Sequence, residues 1–82
     1  MSAWSLVREG EVVAEILVDG GDFPWMTGVF VERVEGVAEV FSGGSSGSGF
    51  RLVDDEGAVG GFYLEVSGGR ARFRWWDEDD VG

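Results

Sequence analysis

Few side chains in this sequence can do chemistry, and their types narrow what that chemistry would be. The chain has sixteen Asp and Glu, six Arg, four Trp and one Tyr, but no His, Cys, Lys, Asn or Gln. Without His or Cys there is no Ser–His or Cys–His nucleophile, and no zinc site of the usual ligands. Without Lys there is no Schiff base and no Walker-type phosphate loop. Carboxylate acid–base chemistry, of the kind that cleaves glycosides, is what remains. Yet almost every acid lies beside a turn glycine or on the polar face of an alternating segment, as solvated surface acids do. The expectation is a protein without catalytic function and without a cofactor.

Metal binding fares little better. Asp19-Gly20-Gly21-Asp22 and Asp77-Glu78-Asp79-Asp80 offer the hard oxygen ligands that calcium prefers. Neither has the spacing of a twelve-residue loop closed by a bidentate Glu. The first reads as turn chemistry, the second as a solubilising acidic tail over 77–82.

The arginines and tryptophans point to binding instead. Arg70, Arg72 and Arg74 alternate with Ala71, Phe73 and Trp75, so on a strand the guanidiniums line one face and the apolar residues enter the core. Acids on neighbouring strands, such as Glu11, Glu15 and Glu65, are expected to pair with them; an anion site is the other reading. Adjacent Trp75 and Trp76 must face opposite sides, one in the core and one beside the arginines, where it can stack on a guanidinium. Val13, Leu17 and Phe30 also fall on what alternation makes an outer face, with Tyr63 at its margin. Together with Trp76, Arg72 and Arg74 they form a candidate interaction surface, either for a second copy of the chain or as the scar of a removed covering segment. Trp25 and Trp75 form a candidate aromatic platform for a sugar or an apolar ligand.

The elements that must position these residues read as strands. Period-2 alternation broken by Gly-bearing turns gives strands over 4–8, 11–18, 27–34, 37–41, 50–53, 58–66 and 70–76. Pro24 keeps 22–25 out of a central strand. Residues 31–41 also carry apolar residues at helical spacing, so a short helix there is the alternative to a hairpin. Gly60 and Gly61 suggest a bulge or sharp coiling. Six to seven short antiparallel strands in a meander give an all-β domain, a small barrel or strongly coiled sheet, because closure removes exposed edges. Ser42 to Gly49 reads as a flexible Gly/Ser linker inside a single domain spanning 1–82: a natural mobile loop is one reading, and a deleted insertion, a circular permutation or a designed connection is the reading its composition favours.

A formal charge of −10 opposes nucleic acid and anionic membrane surfaces. No apolar run approaches a membrane span and no signal peptide is evident, so the expected location is the cytoplasm. The missing residue types suit a GC-rich genome or a designer's restricted alphabet. In its Trp4–Gly10 stretch, its Asp22-Phe23-Pro24-Trp25-Met26-Thr27-Gly28 segment and its Arg70–Glu78 end, the chain resembles small uncharacterised actinobacterial proteins. These carry an N-terminal Trp-bearing hairpin, a Phe-Pro-Trp loop and an Arg- and Trp-bearing last strand. The resemblance implies a longer helical segment where this chain has its Ser/Gly run, hence an excised or redesigned connection. It implies no activity. Two functions follow as expectations: a structural or protein-interaction module that self-associates, or a ligand-binding module built on the Trp platform.

Overall fold

The computed structural model describes residues 2–76; the acidic tail expected over 77–82 lies outside the described residues. Seven strands form one antiparallel sheet: β1 (Ser2–Arg8), β2 (Glu11–Gly20), β3 (Met26–Glu32), β4 (Phe50–Asp54), β5 (Gly57–Ala58), β6 (Gly61–Ser67) and β7 (Arg70–Trp76). A single helical turn, α1 (Val37–Val40), lies between β3 and β4. The strand order is β5-β4-β1-β2-β3-β7-β6, and the sheet curls into a half-barrel. The all-β architecture is the one that alternation and glycine spacing predict.

Local chemistry explains the hairpins. Glu9 and Gly10 sit at φ 52 and 81, and Gly68 and Gly69 at φ 58 and 78. Positive φ at both central positions matches the right-handed twist of the flanking strands. The concave face holds the core, where Trp4, Leu6, Ile16, Leu52, Leu64 and Phe73 are buried. No polar or charged side chain is buried among the described residues. Leu6 and Leu52 face each other across β1 and β4.

Two residues expected on the outer face are in this core. The register of β1 on β2 jumps between Leu6↔Ala14 and Val7↔Val12, leaving Val13 as an extra residue. A bulge of this kind shifts the phase of alternation. Val13 and Ala14 therefore both point inward, while Val12 is exposed. The Val13 carbonyl accepts the amides of Arg33 (2.9 Å) and Val34 (3.0 Å), which leads the chain out of β3. Phe30 is also buried, across from buried Ile16, because the inward parity of β3 falls on Met26, Gly28 and Phe30.

The return strand expected over 37–41 is absent; β3 stops at Glu32 and residues 37–40 make one helical turn. The Glu32 carboxylate accepts the Ala38 amide at 2.7 Å. Val37 and Phe41, four residues apart, are both buried beneath the turn. The helical spacing in this stretch was the stronger signal, but only over its second half. The strand expected over 58–66 divides into β5 and β6, with Val59 and Gly60 between them.

The Ser/Gly run, expected as a flexible linker, is placed along the outer edge of β6. Ser45 and Leu64 exchange amide hydrogen bonds of 2.9 Å each, and the Val66 amide donates to the Phe41 carbonyl at 2.9 Å. Two of the glycines here, Gly44 and Gly47, have their Cβ positions filled by neighbouring rings, while Gly43 and Gly49 face open space. A Cβ on Gly44 would collide with the Tyr63 hydroxyl, and one on Gly47 (φ 66) with the Phe62 ring.

Candidate functional site

Strand β7 lies between β3 and β6, and its register decides what surrounds the arginines. On the β6 side Glu65 faces Arg72, Tyr63 faces Arg74 and Gly61 faces Trp76. On the β3 side Thr27 faces Arg72 and Val29 faces Arg70. Since Ala71 and Phe73 are buried, Arg70, Arg72, Arg74, Trp76 and Tyr63 share the convex face. Gly61 makes room for Trp76: a Cβ there would lie 2.7 Å from the indole Cε2. The indole thus rests where a side chain would otherwise stand.

Trp25 joins this face from the loop before β3. Its amide donates to the Asp22 carbonyl at 2.6 Å, closing a turn around Phe23-Pro24. The Arg72 guanidinium carbon sits 4.2 Å from the Trp25 ring centroid and that of Arg74 sits 5.8 Å away. Tyr63 meets Trp25 edge to face, with centroids 6.0 Å apart and planes at 83°. Trp25 is half-buried, and a cation over an indole near the surface is worth about 0.5–1 kcal/mol, enough to orient the guanidiniums. Trp25, Tyr63, Arg72, Arg74 and Trp76 line an open depression of about 580 Å³.

Charge is distributed unevenly over the arginines. Arg33 pairs with Glu15, and Arg70 holds Asp19 through two bonds of 3.0 and 2.8 Å. Those hydrogen bonds hold the Asp19 carboxyl below the usual aspartate range and raise Arg70. Among the described residues, neither Arg72 nor Arg74 has a carboxylate partner. Of the acids expected to pair with the β7 arginines, Glu11 and Glu15 form no bond with them and Glu65 stands opposite Arg72 without a salt bridge; the β2 acid that β7 reaches across β3 is Asp19, held by Arg70. Glu15 is taken by Arg33 instead.

On the far side of Trp25 is a second hollow, of about 590 Å³, lined by Phe23, Pro24, Met26, Trp75 and Trp76 as well as Trp25 itself. Phe23 is fully exposed. Trp75 shares the concave face with Phe62 and tilts against Trp4, with centroids 5.9 Å apart. It is 40% exposed because it lies at the open end of the sheet.

The structure therefore regroups the expected residues. Arg72, Arg74 and Trp76 come together with Trp25, and Trp25 meets Trp75 across the second hollow. Leu17 is exposed but stands beside Val29, away from Trp76. Val13 and Phe30 belong to the core and leave the surface altogether. The guanidiniums stack on Trp25, whereas the sequence suggested Trp75 or Trp76. Phe23 is an addition; Tyr63, expected at the margin of the outer face, is placed there by alternation opposite to Phe62 and Leu64, but its partner Trp25 is thirty-eight positions away and only register reveals it. Among the described residues no group of three or more acidic side chains is placed to hold a metal, and no helix is long and apolar enough to cross a membrane. Compared with family models, with curated proteins and with solved structures, the chain matches none of them.

Proposed function

We propose that this chain is a non-catalytic binding module whose recognition surface is the convex face around Trp25. The observation that carries the reading is the stacking of Arg72 on Trp25 at 4.2 Å, with Arg74 beside it and no carboxylate partner for either among the described residues. Two hollows of about 580 and 590 Å³ share Trp25 as a wall, within the size range of small-ligand sites. Mostly aromatic lining with a few convergent polar groups is the usual composition of such sites. The residue menu, lacking His, Cys and Lys, gives no support to catalysis.

The expected self-association through an outer apolar face has less to rest on, since Val13 and Phe30 are buried and Leu17 lies apart from Trp76. The test is ligand screening monitored at the four indole N–H signals in ¹⁵N-correlated NMR spectra. Binding at the proposed surface moves Trp25 and Trp76 while buried Trp4 changes little, and Trp25→Ala abolishes the response. Indifference of Trp25 and Trp76 to a broad panel of sugars, aromatic acids and lipids would reject the reading.

A further inference from the structure

We propose that the ligand of this surface is a planar aromatic acid carrying a single negative charge. The proposal rests on the binding reading above and adds the chemistry of the occupant. Its first support is the local charge. In a chain with sixteen acids and six arginines, Arg72 and Arg74 bring two guanidiniums to one indole, and neither has a carboxylate partner among the described residues. Arginine presents a fork of N–H donors matched to the two oxygens of a carboxylate, or to a phosphate. Arg72 lies over the Trp25 ring with Arg74 further out, and among the described residues neither guanidinium donates a side-chain hydrogen bond.

The second support is the lining. Trp25, Tyr63 and Trp76 surround the two arginines, and on the other side of Trp25 the wall continues through Phe23, Pro24 and Trp75. Flat π surfaces favour a ring over a flexible alkyl chain, because rings stack with little loss of internal freedom. A ligand that places its ring against Trp76 and Tyr63 sets its acid group at Arg74 and Arg72.

The third support limits the number of charges. The whole chain carries −10, so a polyanion such as nucleic acid, or a strongly acidic protein, meets repulsion over its length. A single charge interacts chiefly within about one screening length, ~10 Å at moderate salt, and there it meets Arg72 and Arg74 together with Glu65, opposite Arg72, and Asp22 beside Trp25, so one negative charge is the most this face favours. Neutral sugars satisfy the aromatic wall but leave the arginines unused.

The decisive comparison uses 2-naphthoate, its neutral analogue 2-naphthamide, octanoate, acetate and neutral sugars (methyl glucoside and cellobiose) against the full chain, followed at the Trp25 and Trp76 indole signals. Naphthoate is expected to bind at least about 10-fold more tightly than naphthamide, as charge-assisted hydrogen bonds imply. It should also outcompete octanoate and acetate, and weaken several-fold as salt is raised. In the double variant Arg72→Gln/Arg74→Gln the acid-over-amide preference disappears while ring binding persists, with the remaining amide spectrum unchanged as the check on folding. Equal binding of acid and amide overturns the proposed charge but leaves the binding surface standing, as does preference for a sugar. A preference for octanoate overturns the aromatic requirement. Silence toward every compound, sugars included, overturns both this proposal and the reading beneath it.

Discussion

Asp19 gives up its proton more readily than an ordinary aspartate because two N–H groups of Arg70 donate to its carboxylate. Its folded pKa lies below the unfolded value, so the pair contributes stability above the unfolded pKa. That contribution is lost as the pH falls through the folded pKa. Both side chains are largely exposed, which keeps the effect small. In Arg70→Gln, NMR titration of the Asp19 carboxyl should move its pKa upward toward the ordinary range. An unmoved titration would mean that the pair does not persist in solution. The same bidentate geometry is what makes Arg72 and Arg74 interesting: chemically identical side chains on one strand face differ because one finds an aspartate and the others find Trp25.

Among the elements, the Ser/Gly run departs most from what its composition suggests. Gly47 is buried at φ 66 with its Cβ position filled by Phe62, whereas Gly43 has open space around it. Gly47→Ala should therefore cost about 1–3 kcal/mol in urea denaturation, and Gly43→Ala no more than about 0.5 kcal/mol. Equal effects at the two positions would contradict the packing of this segment on β6. Such packing is not legible in a run of Ser and Gly, because the information resides in the rings of Phe62 and Tyr63 that fill the gaps. By contrast β7 and the two glycine hairpins are legible at once, since their alternation is unbroken and their turns need positive φ. The bulge at Val13 hid in a Val-Val pair that fits either parity. For the candidate site, the arginine face was readable from spacing alone. Its union with Trp25 was not, because it depends on β3 pairing with β7 across more than forty positions.

For the molecule as a whole, the net charge of −10 and isoelectric point near 4.1 set a self-repulsion that folding must overcome. The two ion pairs among the described residues are exposed, so salt weakens little that is favourable while it screens much that is not. The melting temperature is thus expected to rise between about 0.01 and about 0.5 M NaCl, as the screening length shrinks from ~30 Å toward a few ångströms. A fall over that range would mean that attractive pairs outweigh repulsion. A half-barrel has two rims, and on the β6 side the chain's own Phe41 and Ser45 occupy the hydrogen-bonding positions of Val66 and Leu64. A protease nick within 43–48 would free those amides to recruit a strand from the next molecule. The segment that looks most expendable would then be what keeps this protein from growing into fibres.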